Sequence, residues 1–343
     1  MNHFQSTIPD QVKSRSAKLI DPFGREITYL RMSVTDRCNL RCTYCMAEKM
    51  SFLPRQQILT LEEMAEIGLV FSELGVNKIR LTGGEPLIRQ GIMTLVERLG
   101  AMEPLDELVM TTNGFFLPEY AQQLKDAGVE RLNISIDSLN PDRFREISRT
   151  GELSQVLAGI ESAQKAGFAN IKLNAVILAG VNDGEILDLA KFAINGDMDI
   201  SFIEEMPLGD IDSHRRAETQ VFSEKIKEVL SGHYSLVSSA ETTGGPARYY
   251  RIQGRTSKVG FISPMSNNFC SSCNRVRLTV EGKLLLCLGN DHSVDLKKVI
   301  RSHPGDRTAL KSAIVQAIGG KPERHHFDPE KVDIVRFMNM TGG

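Results

Sequence analysis

The chain predicts an α/β fold with a parallel sheet curled into a full or partial barrel, and two patterns in its middle carry that expectation. β-type runs alternate with amphipathic stretches of about ten to fifteen residues through roughly six units. The joints between them repeat as "ELGVNKIRL" from Glu73, "DAGVERLNI" from Asp126 and "KAGFANIKL" from Lys165. In each, a helix ends at a glycine suited to the left-handed position after its last turn, and a strand follows. A doubly wound open sheet shares the pattern.

In order, strands are expected at 29–34, 78–82, 107–111, 131–136, 172–177 and 200–206. The helix after the first strand should start at Thr60, whose spacing to Glu63 suits a capping box. Past residue 208 the alternation fades, and "ETTGGPARYYRIQG", "VGFISPM" and "RVRLTVEGKLLLC" read as short strands with turns. Residues 291–326 read as mostly polar and helical, broken at Pro304, Gly319, Gly320 and Pro322. The expected division is an N-terminal extension over 1–25, a barrel over 26–208 and a smaller C-terminal α+β region over 209–343.

Charge excludes some functions. With 41 basic and 43 acidic residues the net charge is −2, so no global field draws nucleic acid, and an anionic substrate must meet locally placed Arg and Lys. The start of the chain lacks an apolar leader core, and no run of about eighteen apolar residues occurs, so a cytoplasmic protein without membrane segments is expected. Six cysteines fall in two groups, Cys38, Cys42 and Cys45, then Cys270, Cys273 and Cys287, which argues for ligands rather than a disulfide framework.

Chemistry in a parallel array collects where strands run into loops at their C-terminal ends. There the chain places the first cysteine group, then "TGGEP", "TTNG", "SIDS" and "EEMPLG". Three thiolates in this spacing fall one short of a structural zinc site, and a redox dithiol needs only two. An iron–sulfur cluster on three thiolates keeps one iron open to a substrate or cofactor, and the spacing fits that reading. The second group is again three thiolates; the zinc alternative there takes His292 as a fourth ligand.

"CNLRCTYC" followed by "GGEP" resembles the radical S-adenosylmethionine (SAM) enzymes. With "FCSSCNRVRL", Cys287 and a terminal "GG", the chain resembles more narrowly their GTP 3′,8-cyclase family, molybdenum cofactor biosynthesis protein A, over residues 30–288 and 341–343. That resemblance implies a partial barrel of six βα units and two 4Fe–4S clusters, one on Cys38, Cys42 and Cys45 and one on Cys270, Cys273 and Cys287. SAM would chelate the first cluster and contact Tyr44, Gly84, Ser135 and Met206. GTP would meet the second cluster through guanine and be held by Arg31, Arg80, Thr111, Lys172, Arg275 and Arg277. The resemblance implies that a 5′-deoxyadenosyl radical takes the ribose 3′ hydrogen, that the resulting carbon radical attacks carbon 8 of guanine, and that reduction then gives 3′,8-cyclo-7,8-dihydroguanosine triphosphate. Arg275, Arg277 and the tail glycines Gly342 and Gly343 are implied in catalysis. Implied partners are a downstream cyclic pyranopterin monophosphate synthase, an electron donor such as flavodoxin or ferredoxin, and a second copy in a homodimer.

The residues support this independently at two points. Arg80 and Lys172 lie inside strands that otherwise read as buried, where an unpaired charge is costly and a ligand explains it better. No Gly-x-x-x-x-Gly-Lys-Ser/Thr loop occurs, so phosphates are not held by a P-loop. Asn113 is expected against ribose or adenosine, and Glu85 as an acceptor or support. Lys78, Arg131, the "SHRR" segment (His214–Arg216) and "RHHFD" are expected on solvated surface.

Overall fold

The structure is a computed structural model that describes residues 18–209, 211, 214–327, 334 and 336–342. Gly343 lies outside the described residues, as do residues 1–17 of the expected N-terminal extension. Among the described residues one twelve-stranded sheet forms from β1 (Tyr29–Ser33), β2 (Lys78–Thr82), β3 (Glu107–Thr112), β4 (Val129–Ser135), β5 (Asn170–Val176), β6 (Asp199–Ile203), β7 (Leu236–Ser238), β8 (Arg248–Ile252), β9 (Lys258–Ile262), β10 (Arg275–Leu278), β11 (Lys283–Leu285) and β12 (Ser293–Asp295). β1 to β6 run parallel in chain order. The C-terminal region does not stack on this sheet but extends it on both sides: β10 pairs parallel with β1, β9 parallel with β6, and antiparallel strands finish each margin.

Local rules set the elements. α1 (Leu61–Glu73) follows β1 and begins with the full capping box, Thr60 Oγ1 accepting from Glu63 N at 3.1 Å while Glu63 Oε2 accepts from Thr60 N at 2.8 Å. Further helices are α2 (Ile92–Gly100), α3 (Leu117–Asp126), α4 (Pro141–Ser148), α5 (Leu153–Lys165) and α6 (Ile186–Asn195). The repeated glycines Gly75, Gly128 and Gly167 have φ of 99°, 86° and 80°, so the left-handed joint read from the sequence forms three times. β4 and β5 each start two residues earlier than expected, and β6 stops at Ile203. The last difference has a cause in Glu204, whose buried carboxylate accepts from the backbone of Ser223, Met265 and Ser266 and turns the chain.

The two faces of the sheet differ. Alternate residues such as Leu30, Met32, Ile79, Leu81, Leu132 and Leu173 are fully buried in the apolar core shared with the helices, worth about 1.5–3 kcal/mol each. The intervening positions carry Tyr29, Arg31, Lys78, Arg80, Asn133 and Lys172. Register aligns Arg277 with Arg31 and Arg31 with Arg80, and Thr111 with Asn133 and Asn133 with Lys172. A packed barrel would place branched aliphatics at such positions; this one holds a polar cavity.

Candidate active site

The cavity has a cysteine set at each end. β1 runs out at Ser33 into the loop of Cys38, Cys42 and Cys45, which docks on the end of α4: Arg41 N donates to Ser148 O and Thr43 N to Ile147 O, both at 2.9 Å. Arg149, at a φ of 59°, sends its guanidinium back to the carbonyls of Arg41 (3.0 Å) and Met46 (3.2 Å), bracketing Cys42 and Cys45. The "GGEP" loop lies against the same turn, Gly84 N reaching Thr35 O at 2.8 Å, and a Cβ on Gly84 would stand 2.1 Å from Arg37 O. Only glycine permits that approach.

Glu85 is a brace. Its buried carboxylate accepts from Thr112 Oγ1 (2.8 Å), Asn113 N (2.7 Å) and Leu87 N (3.1 Å), tying the loop after β2 to the end of β3. Burial pushes its pKa up to about 7. Asn113 turns toward the cysteine loop, Nδ2 donating to Asn39 Oδ1 at 2.8 Å and standing 3.8 Å from Cys38 Sγ. Tyr44 donates its hydroxyl to Asp137 Oδ2 at 2.7 Å, and burial raises Asp137 to about 6. Gly84, Ser135, Met206, Tyr44 and Asp137 line this end together with the three cysteines.

The donors fit the implied cluster. Burial pushes Cys38 up to about 11, Cys45 to about 12 and Cys42 well above its ordinary value, so these thiols need a bound cation to become thiolates. Among the described residues no three His, Cys, Asp or Glu side chains converge on one metal ion. A cluster binds each thiolate through a different iron and does not ask for that convergence.

At the other end Cys270, Cys273 and Cys287 line the cavity with Arg275, His325 and Phe327. Burial opposes ionisation of Cys273, but Arg275 and Lys321 outweigh it and hold the thiol at about 7. His292, the alternative zinc ligand, is exposed. Thr111, Asn174, Ile203, Met206 and Met338 line both ends, so the two are parts of one cavity.

A cationic belt lies between. Arg80 donates to the Tyr29 hydroxyl and to Thr111 Oγ1 (2.9 Å), and Lys172 Nζ to the Tyr249 hydroxyl (3.2 Å). Burial lowers Lys172 to about 7 and Arg31 to about 10, and burial with Arg31 and Arg275 as neighbours lowers Arg277 well below its ordinary value. Burial would raise Tyr29, yet Arg80, Arg31 and Lys78 bring it down to about 7. The belt gathers four cations, Arg31, Arg80, Lys172 and Arg277, around the Tyr29 hydroxyl. The side-chain oxygens of Asn133 and Asn174 are buried on the same inner face without a partner. The tail enters here: Gly342 O accepts from Arg277 Nη1 (2.5 Å) and Arg31 Nη2 (3.3 Å), and a Cβ on Gly342, whose φ is 78°, would meet Thr82 Cγ2 at 2.2 Å.

Some surface expectations are corrected. Lys78 is buried, paired with Glu107 at 2.5 Å and donating to Thr243 O at 2.7 Å, because the loop after β7 covers the bottom of the cavity; Arg131 shares Glu107 at 3.1 Å and is only partly exposed. In "SHRR", the side chains of His214 and Arg216 are buried on Glu205 at 2.6 and 3.1 Å, while Arg215 is exposed. In "RHHFD", His325 packs on Phe327 inside the cavity wall. Sequence reasoning missed Tyr29, Asp137, Arg25 and Lys321. Asp137 had a signal, standing two residues after Ser135 in the same strand end; the other three had none.

Comparison with known proteins agrees with this geometry. A family model described as Radical SAM superfamily matches residues 32–193, and one described as Molybdenum Cofactor Synthesis C matches residues 198–327. A "GTP 3′,8-cyclase" of Pseudomonas entomophila is 60% identical over 95% of this chain and 98% of its own. A "GTP 3′,8-cyclase 2" of Pseudomonas aeruginosa is 56% identical over 95% of this chain and 99% of its own. The solved structure of Streptococcus suis SuiB shares the fold, with a TM-score of 0.59 at 13% identity over 84% of this chain and 69% of that one. Among the described residues no helix is long and apolar enough to cross a membrane. With that identity over nearly its whole length, the chain belongs to the GTP 3′,8-cyclase family of radical SAM enzymes.

Proposed function

We infer that this chain is a radical SAM GTP 3′,8-cyclase that converts GTP to 3′,8-cyclo-7,8-dihydroguanosine 5′-triphosphate, the first step of molybdenum cofactor biosynthesis. The observation that carries the reading is one cavity with three cysteines at each end and a cationic belt between them. Cys38, Cys42 and Cys45 would hold one 4Fe–4S cluster, and Cys270, Cys273 and Cys287 a second. Bound at the first set, cluster and SAM supply radical hydrogen abstraction.

The chain's own residues do the rest. Gly84 lets main chain approach the methionyl group of SAM, Glu85 fixes that loop, and Tyr44 with Asp137 presents negative charge to a cationic ligand. Ser135 and Met206 complete the wall against adenosine. Arg31, Arg80, Lys172, Arg275 and Arg277 meet the triphosphate, with Thr111 orienting Arg80. Gly342, set on Arg277 and Arg31, fixes those guanidinium groups so that ribose carbon 3′ faces the first cysteine set and the base the second, and Gly343, outside the described residues, would share that catalytic role. The walls exclude water from the substrate radical. A one-electron donor such as flavodoxin or ferredoxin would act on the first end, a cyclic pyranopterin monophosphate synthase would take the product, and the working unit would be a cytoplasmic homodimer.

The test is anaerobic incubation of reconstituted, reduced protein with SAM and GTP. The expected result is GTP-dependent 5′-deoxyadenosine together with the cyclised nucleotide; 5′-deoxyadenosine without nucleotide conversion would reject the substrate.

A further inference from the structure

Lys321 is a buried cation without an acid. Its Nζ donates to the carbonyls of Arg275 (2.9 Å) and Leu286 (2.5 Å) and stands 3.8 Å from Cys273 Sγ, and among the described residues no carboxylate joins these partners. Three donors are thereby used and the positive charge is left unanswered. A buried ammonium in that position is costly, so its counter-charge has to be found nearby.

The neighbours say where. Arg275 lies two residues after Cys273, and Leu286 directly precedes Cys287, so the ammonium bridges the two chain segments that carry these cysteines. Lys321 is itself held from behind. Arg25, buried and paired with Asp21 at 2.6 Å, donates to the carbonyls of Cys270 (2.7 Å), Pro322 (2.6 Å) and Glu323 (2.6 Å). One arginine thus clamps the third cysteine to the strap that carries Lys321. A flexible lysine is fixed at one point, beside sulfur.

We propose that Lys321 is the positioning residue of the second cysteine set, its ammonium supplying the fixed positive charge that balances an anionic iron–sulfur cluster on Cys270, Cys273 and Cys287 and raises that cluster's reduction potential through the contact at Cys273. The proposal rests on the two-cluster reading above. The physical step is simple: three thiolates make the cluster anionic, an added electron makes it more so, and a fixed cation with an N–H on sulfur favours the reduced form.

The experiment uses the full chain with Cys38, Cys42 and Cys45 replaced by Ala, so that only the second cluster is read, beside the intact holoenzyme as a control. Iron is counted, and the one-electron midpoint with titanium(III) citrate is followed by electron paramagnetic resonance. Lys321→Gln keeps a donor but no charge, and is expected to shift the midpoint negative by about tenfold in the reduced-to-oxidised ratio, about 59 mV for one electron. Lys321→Arg keeps the charge and is expected to retain most of the parent value. Lys321→Met replaces the Gln variant if that one fails to fold. A Gln or Met midpoint equal to the parent's, with iron content intact, overturns the proposal and leaves the cluster reading standing. A fall as deep in Arg as in Gln also overturns it, because the carbonyl tethers alone would then set the potential. A parent that binds no iron rejects the second cluster itself, and Lys321's role with it.

Discussion

The two ends of the cavity are built from opposite charges. At the first, Glu85 and Asp137 are buried acids held at about 7 and about 6, and the thiols beside them are pushed up. At the second and along the belt, Lys172 is a base held at about 7, Arg277 lies well below its ordinary value, and Cys273 is pulled down to about 7. Burial is common to both, so the difference comes from which charges each end gathers. A sulfonium ligand suits the first end and a triphosphate the second. Three cysteines stand at each end in different spacings, and the two sets are given different electrostatic surroundings.

The largest effects should come from unlinking them. Replacing Cys45 by Ala is expected to reduce the iron content from about eight to about four per chain and abolish SAM cleavage. Replacing Cys273 by Ala should cost about the same iron but leave SAM cleavage running without cyclised nucleotide. Iron assay and product analysis on both variants check this. Loss of SAM cleavage in the Cys273 variant would mean that the ends do not act separately. Next in size, Arg277→Ala should weaken GTP binding roughly ten- to hundredfold, as expected for losing a charged hydrogen bond worth about 1.5–3 kcal/mol, while SAM binding stays unchanged. Calorimetry with each ligand reads both numbers, and equal losses would reject a divided cavity.

The parts of this arrangement legible in the sequence were the local ones. Helix-to-strand joints at Gly75, Gly128 and Gly167 need only neighbouring residues, and the cysteine loops announce themselves by spacing. Arg80 and Lys172 could be found because a charge at a buried strand position is an anomaly in itself. What failed was long in range. Lys78 looked like an ordinary exposed lysine because Thr243, which covers it, is 165 residues away, and the Arg25 contact with Glu323 spans 298 residues. The placement of β9 and β10 at the two margins of the barrel is of the same kind, since pairing partners for parallel strands carry no local mark.

A smaller effect concerns pH. Triphosphate binding favours charged Lys172 and neutral Tyr29, both of which change state at about 7 in the free protein, so binding takes up protons. GTP affinity is expected to fall as pH rises through that value, by at most about tenfold per pH unit for each proton taken up. Stability of the free protein should move the other way. The unfolded chain keeps its Lys172 proton up to the ordinary 10.5 and its Tyr29 proton up to 10.0, so between about 7 and those values the unfolded state binds more protons and stability rises with pH. Calorimetry in two buffers of different ionisation enthalpy measures the uptake; none at about pH 7.5, or an identical profile in Lys172→Met, would remove these groups from the triphosphate site.

The smallest predicted effect tests the acidic end through one hydrogen bond. Tyr44 donates to Asp137 Oδ2 at 2.7 Å while Val176 N donates to Oδ1 at 2.8 Å, and the two bonds favour the carboxylate against its burial. Tyr44→Phe removes one of them, so Asp137 should titrate above about 6 and be less ionised near neutrality. SAM binding is then expected to weaken by about 0.5–1.5 kcal/mol, roughly three- to tenfold, with GTP binding unchanged. Because the loss comes from protonation, it should grow as pH falls below the raised pKa toward about 6 and fade as pH rises beyond it. Equilibrium dialysis of SAM against pH separates this from shape: a loss of the same size at every pH would mean that Tyr44 packs against its ligand and that the charge on Asp137 plays no part.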